Sequence, residues 1–427
     1  MRSTNRKKKS QFNKILVVII GILALLIGAG FFFANSNSWF GESDSSPETE
    51  EISNEEALSS NTKEEEETEI VEEETFIDIQ ISAVGDVMAH GNQLISAYDS
   101  GKDSYDFSAV FEDVKPFISE SDLAIANLET TLAGPTRAYI GYPLFNTPDA
   151  IVDGLAYAGF DMLATANNHS LDTRADGLKR TAKVITEKGL DPVGTYEDDP
   201  ESRIQIKDVE GIKVAILGYT EHVNGMEAQY TSEELSSMIN LLSEEQILAD
   251  IEEANSHDPD IIMTYIHWGN EYAKEPNELQ TSYAELLTRE GVDIILGSHP
   301  HVIQPTEFLE VDGNKSFVAY SLGNFVSNQR RESLGAGFEA TEDGVIINMD
   351  IQKSEKTGET KLKSIDLVPT WVYRNREEGQ SAYTYRILPI EAHLDDSSLS
   401  EDYLNRMKTS YEETMNRMNL DSSQFEE

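Results

Sequence analysis

Four of the eight histidines in this 427-residue chain stand just past the ends of short apolar runs: His169, His267, His299 and His301. Acidic and amide side chains stand at matching places. The clusters are Val84-Gly85-Asp86, Ala126-Asn127-Leu128-Glu129, Ala166-Asn167-Asn168-His169, Tyr265-Ile266-His267-Trp268-Gly269 and Gly297-Ser298-His299-Pro300-His301. An open α/β sheet binds its ligands at the carboxyl ends of its strands. If the apolar runs are such strands, Asp86, Glu129, Asn168, His267, His299 and His301 meet along one edge. Carboxylate and amide oxygens with imidazole nitrogens suit manganese, iron, zinc or cobalt. Six donors exceed what one ion takes while keeping an open position, so the set points to two divalent ions.

Taken singly, each cluster has a plainer account. A Gly-Asp after a strand is commonly a turn, and Asn-His a helix cap with a hydrogen-bonded histidine. Glu129 serves equally as a cap or as a partner of Arg137, and His267 beside Trp268 as a packed core histidine. His299-Pro300-His301 is the strongest single signal, because the proline stiffens two closely spaced imidazoles. It is the conjunction that argues for a site. Around it, Asn324 after Gly323 reads evenly as a site residue or a turn. Arg137 is a candidate contact for an anionic substrate, or a solvated loop arginine. His222 either lines the pocket or lies on the surface, and His257, before Pro259, reads as structural.

The elements that must position these residues are legible as alternating patterns. Phe76–Val84, Leu123–Ala126, Met162–Ala164, Val214–Leu217, Ile261–Ile266, Ile294–Leu296 and Phe317–Ser321 read as buried strands. Ala175–Lys188, Ser243–Asn255 and Glu278–Glu290 read as amphipathic helices, the first and last stopped by Gly189 and Gly291. Gly344–Gln352 and Lys361–Val368 extend a β-rich second half. The pattern predicts an α/β domain over 76–390, with a polar, partly helical tail over 391–427.

Composition sets further bounds. There is no cysteine, which excludes disulfides, thiolate metal sites, a cysteine nucleophile and a lipid-bearing cysteine anchor. The formal net charge of −45 argues against nucleic acid as a partner. Residues 1–14 are basic and 15–34 are an apolar stretch long enough to cross a bilayer; the alternative is a cleaved signal peptide. The basic flank places the N-terminus in the cytoplasm and everything after the span outside. Residues 35–75 are acidic; from Gly41 to Thr75 there are 15 acidic residues and one lysine, so this part reads as a disordered tether.

Six motifs in order, Gly85-Asp86-Val87-Met88, Asn127-Leu128-Glu129, Asn167-Asn168-His169, His267-Trp268-Gly269, Gly297-Ser298-His299-Pro300-His301 and Tyr320-Ser321-Leu322-Gly323-Asn324-Phe325, resemble the CapA family of poly-γ-glutamate capsule synthesis proteins over about Ile79–Val326. The resemblance implies a branch of the calcineurin-type metallophosphoesterases: a four-layer β-sandwich flanked by helices, with two divalent ions, manganese, iron or zinc. It implies Asp86 as the first carboxylate ligand, Glu129 in place of a bridging aspartate, Asn168 as the amide ligand, and His267, His299 and His301 as imidazole ligands. His169 resembles the catalytic histidine that acts on the leaving group. Two positions depart from the phosphoesterase pattern. Met88 stands where a histidine is usual, with His90 close enough to substitute, and Glu129 is one methylene longer than aspartate. The resemblance further implies other capsule synthesis or export subunits as partners, and poly-γ-glutamate or a phosphorylated compound as substrate. Two functions follow: a two-metal hydrolase outside the membrane, or a non-catalytic subunit of the polymer machinery with a structural or vestigial metal site.

Overall fold

The computed structural model describes residues 74–425. The basic segment, the apolar stretch over 15–34 and almost all of the acidic tether lie outside the described residues. Among the described residues no helix is long and apolar enough to cross a membrane.

Among the described residues, sixteen strands carry the fold. In chain order they begin β1 (Phe76–Val87), β2 (Tyr98–Asp99), β3 (Ser104–Tyr105), β4 (Leu123–Leu128), β5 (Met162–Ala164), β6 (Asp191–Val193), β7 (Gln205–Val209) and β8 (Ile212–Thr220). They continue with β9 (Ile261–His267), β10 (Ile294–Ser298), β11 (Thr306–Val311), β12 (Asn314–Ala319), β13 (Asn324–Val326), β14 (Asp343–Ser354), β15 (Thr360–Asn375) and β16 (Thr384–Pro389). One sheet has the order β16-β15-β14-β1-β4-β5-β6, with β13 pairing β1; a second has the order β11-β12-β10-β9-β8-β7, and β2 pairs β3 alone.

The two sheets face each other. Ile79, Ile81 and Ala83 of β1 alternate toward a shared core with Ile216, Met263, Tyr265 and Leu296 of the second sheet. The opposite face of the first sheet, Ala124, Ala126 and Leu128 among others, packs on helices through Phe111, Ile151, Leu155 and Ile185. Ala215, Ile262 and Ile295 of the second sheet pack on Ile247, Ile251 and Leu287 of the helices Glu244–Ser256 and Glu278–Arg289. The result is a mixed α/β architecture with helices outside two central sheets. The expected helices appear within a residue or two of their read boundaries, as Arg174–Glu187, Glu244–Ser256 and Glu278–Arg289. In the C-terminal tail, the helix Glu401–Met418 packs on β15 through Met407 against Trp371.

One repeated device sets the register of the parallel strands. An aspartate at the start of a strand accepts the backbone N–H of its neighbour: Asp122 from Gln80, Asp161 from Ala124, Asp260 from Lys213 and Asp293 from Ile262, each at 2.8 Å. Each of these N–H groups lies level with the start of the neighbouring strand, where a backbone donor needs a partner. Fixing the amino ends of neighbouring strands in this way aligns their carboxyl ends. Asp86 thus stands opposite both Asn127 and Asn324, and His267 opposite Ser298.

Candidate metal centre

Asp86 is held on three sides. Its N–H donates to the Gly323 carbonyl at 2.9 Å. Asn127 Nδ2 donates to its Oδ1 at 2.8 Å, and His301 Nδ1 lies 3.0 Å from its Oδ2. Glu129, just past β4, donates its N–H to the Val87 carbonyl. Its carboxylate is wholly buried, and neither oxygen has a hydrogen-bond partner. One of those oxygens stands 3.7 Å from His301 Nε2, 3.8 Å from His267 Nε2 and 3.9 Å from His169 Nε2. These separations are too long for hydrogen bonds. They suit donors around a shared cation, because ligands at about 2.0–2.2 Å from an ion stand roughly 3–4 Å from one another.

An orphaned buried carboxylate is costly. Burial, and then the neighbouring Asp86 carboxylate, push Glu129 well above the ordinary carboxylate range. A divalent cation would reverse that cost and keep the group ionised. Asp86, Glu129 and His301 offer ligand atoms that all lie within 4.8 Å of one another. The donor set fits a divalent metal.

A second cluster adjoins the first. His267 Nε2 is 3.1 Å from Asn168 Oδ1 and 3.1 Å from His299 Nδ1. Its Nδ1 rests 2.9 Å from Ser298 Oγ, which orients the ring. Burial first, then the neighbouring imidazoles, holds His267 and His299 well below the ordinary histidine range. Neutral imidazoles are the metal-binding form. Both His299 (φ +99°) and His301 (φ +59°) sit in the left-handed region, where a side chain costs about 1–3 kcal/mol. The turn brings the His301 ring to Asp86 and the His299 ring to His267, and the strain persists only in a rigid setting.

His169 differs from these. Its Nδ1 is 2.8 Å from Asp172 Oδ2, which also accepts the Phe145 N–H at 2.7 Å. Its ring meets the Phe145 ring edge-on at 4.7 Å. Asp172 fixes the tautomer, so Nε2 faces the Glu129 oxygen and the space above the carboxylates.

The structure therefore gathers Asp86, Glu129, Asn168, His169, His267, His299 and His301. His90 stands at the mouth: its ring meets Phe145 edge-on at 5.2 Å, and the Asn328 N–H approaches its Nδ1 at 3.4 Å. Burial and the nearby His301 lower it to about 4. Asn324 stands opposite Asp86, and its Oδ1 has no hydrogen-bond partner. It is buried, and its Nδ2 donates to the carbonyls of His301 (3.3 Å) and Thr341 (3.0 Å), bracing the His301 turn. Arg137 departs from the substrate-contact reading. Asp176, in the first turn of the helix Arg174–Glu187, pairs with it at 2.6 Å, and the Thr173 carbonyl takes another of its donors. His222 lines the site, 5.3 Å from the His299 ring. His257 ends a helix and offers its carbonyl to Lys213. Asp172 and Ser298 had no role in the sequence reading. Their only signals are the three-residue spacing after His169 and the register opposite His267.

Buried carboxylates, an amide and imidazoles converge where strands end, which defines an α/β domain with a candidate metal site. The family described as "Bacterial capsule synthesis protein PGA_cap" matches residues 80–329, and the chain belongs to that family. It is 30% identical over 303 residues to the PGA biosynthesis protein CapA of Bacillus subtilis (strain 168), covering 69% of this chain and 73% of that one. It is 30% identical over 287 residues to the capsule biosynthesis protein CapA of Bacillus anthracis, covering 64% of each. Among solved structures it is similar to the calcineurin-like phosphoesterase YfkN from Bacillus subtilis, with 15% identity, a TM-score of 0.41, and coverage of 80% of this chain and 99% of that chain. It is also similar to a 5'-nucleotidase precursor from Thermus thermophilus, with 14% identity, a TM-score of 0.41, and coverage of 80% and 59%. Structural likeness at that level carries no argument about activity.

Proposed function

We propose that this protein is a membrane-anchored, outward-facing component of poly-γ-glutamate capsule synthesis or export, whose domain is a metal-dependent hydrolase of the phosphoesterase type. The observation that carries the reading is the unpartnered Glu129 carboxylate, one oxygen of which is nearly equidistant from three imidazole nitrogens. Asp86, Glu129 and His301 would hold one divalent ion, with Asn168, His267 and His299 beside them for a second. Such ions supply Lewis acidity and lower the pKa of bound water. The chain's own residues do the rest. Asp172 keeps the His169 proton on Nδ1 or stabilises the doubly protonated ring, leaving Nε2 to exchange a proton with a leaving group. Phe145 closes one side of the His169 ring against water. Ser298 and Asn127 fix His267, and Asn324 fixes the turn that carries His301.

Met88 favours a second reading. Its side chain is buried in the core and offers no imidazole to the first ion. A weakened site of that kind suits a non-catalytic subunit that uses the metal for shape. Metal analysis of the purified protein, with turnover measured on phosphoesters and on γ-linked polyglutamate, separates the two. Turnover that vanishes in His299→Ala supports the hydrolase; one to two bound ions without turnover on either substrate class leaves the subunit. Topology is tested separately. Protease added to intact, wall-stripped cells digests the domain after Thr75 if it lies outside, and full protection removes that assignment.

A further inference from the structure

We infer that the tip of the β15–β16 hairpin is a carboxylate-binding arm of the metal site, built on Arg374, Tyr383 and Arg376. The inference rests on the reading of an anionic polymer as the ligand. It answers a problem that reading raises: a chain of net charge −45 repels a polyanion unless cationic groups are concentrated where the polymer lies.

The topology puts the arm at the right end of the sheet. β15 is antiparallel to β14, which is antiparallel to β1, so Arg374 and Asn375 close β15 at the same end as Asp86. β15 lies two strands from β1, roughly 10 Å at the ordinary spacing of about 4.8 Å. A chain of contacts joins the two places. The Asn328 N–H approaches His90 Nδ1, and Asn328 Oδ1 accepts from Arg374 Nη1 at 2.9 Å and from the Tyr385 hydroxyl at 2.6 Å.

The groups at the tip are arranged for anions. The Arg374 and Arg376 guanidiniums both lie over the Tyr383 ring, 4.6 and 4.8 Å from its centre. An arginine stacked on an aromatic face keeps its N–H edge free for a bidentate carboxylate. Arg374 directs donors to Asn328 and to Glu332 at 3.6 Å. Arg376 is exposed, and among the described residues no carboxylate is within ion-pair distance of it. The next residue, Glu377, accepts from Gln380 at 3.3 Å. Arg376 is therefore the available anion contact, Tyr383 its platform, and Arg374 the link that ties the platform to His90.

The test is binding of a fluorescent γ-linked glutamate decamer to the full-length, detergent-solubilised protein, in chelator so that metal contacts play no part. Arg376→Glu is expected to weaken binding about tenfold or more, and Tyr383→Leu severalfold. Arg376→Lys should recover part of the affinity, and Lys361→Glu, at the opposite end of β15, should leave it unchanged. Equal affinity in Arg376→Glu and wild type overturns the arm, as does an equal loss in Lys361→Glu, which would mark non-specific charge attraction. Tripolyphosphate binding with no binding of the glutamate decamer overturns the carboxylate assignment. None of these outcomes bears on the metal reading, which stands or falls on bound metal and turnover in the wild-type protein.

Discussion

The Asp172 carboxylate lies 2.8 Å from Nδ1 of His169, and the same oxygen receives the Phe145 N–H. On the proposed reading, that pairing leaves the free Nε2, turned to the carboxylate cavity, to exchange a proton with the substrate. Asp172→Asn presents an amide that can donate to Nδ1 and so favours the wrong tautomer. We expect it to lower turnover by roughly 10²–10⁴, the usual worth of a positioned acid or base, while metal content is unchanged. His169→Ala should match it. Asn168→Ala should instead reduce bound metal. If Asp172→Asn retains wild-type turnover with the metal in place, the proton-transfer role of His169 is wrong.

Glu129 makes a prediction whose sign depends on the metal. Without an ion its buried carboxylate is unpartnered and next to Asp86. Glu129→Gln removes that repulsion, so in chelator at pH 8 the variant should be more stable than wild type by about 1–3 kcal/mol. With saturating manganese the order should reverse, because wild type binds the ion more tightly and ligand binding stabilises the folded state. Denaturant unfolding with and without metal measures both. The same order under both conditions would remove Glu129 from the metal site.

The two directions of the Glu129 effect also mark what sequence reading could reach. The donors themselves were legible. Asp86, Glu129, Asn168, His267, His299 and His301 each follow a short apolar run that reads as a buried strand, most of them with β-branched residues, and parallel strands bring such ends together. Their partners were not. Asp172 reaches His169 only through the turn at Asn167–Leu171, and Arg137 is drawn off by Asp176, 39 positions away. Asn324 reads evenly as a site residue or a turn, and only the fold shows that it pairs opposite Asp86 inside a sheet. Weakly patterned elements were legible only coarsely for a related reason, the C-terminal tail as partly helical without bounds. The helix Glu401–Met418 buries Met407, Ser410, Thr414 and Met418, a helical spacing in which two of the four positions are hydroxyl residues. β16 is short and ends in proline.

Asp343 gives a pH prediction away from the metal. It is buried, and that burial, aided by the Glu413 and Glu342 carboxylates, raises its carboxyl to about 7, against about 3.9 in an unfolded chain. The folded protein therefore keeps a proton that the unfolded chain loses between about pH 4 and pH 7. This contribution to stability is complete below about pH 4 and is lost as pH rises through about 7. Asp343→Asn stays neutral throughout. Its stability relative to wild type should climb across that window by about 2–4 kcal/mol and level off above it. Unfolding free energies at pH 5, 6, 7 and 8 check this, and a difference that does not change with pH would rule out the protonated carboxyl.

Gly85 tests whether the metal site depends on the close approach of β13 to β1. It immediately precedes Asp86, and a Cβ at this position would lie 1.9 Å from the Gly323 carbonyl oxygen. That carbonyl accepts the Asp86 N–H at 2.9 Å, and the next residue, Asn324, braces the His301 carbonyl. Gly85→Ala must therefore push β13 away, releasing one anchor of Asp86 and the support of the His301 turn together. Overpacking of this kind costs about 1–3 kcal/mol. The metal should suffer more than the fold, because two ligands move while the core between the sheets remains. Gly189→Ala is the matched control. Gly189 has φ +85° at the end of a helix, with nothing within 4 Å of an added Cβ. It should cost about 1 kcal/mol through backbone conformation alone and leave metal content intact. Unfolding free energy and metal stoichiometry, measured on both variants, separate the two effects. Full metal content in Gly85→Ala would show that Asp86 and His301 are held without β13.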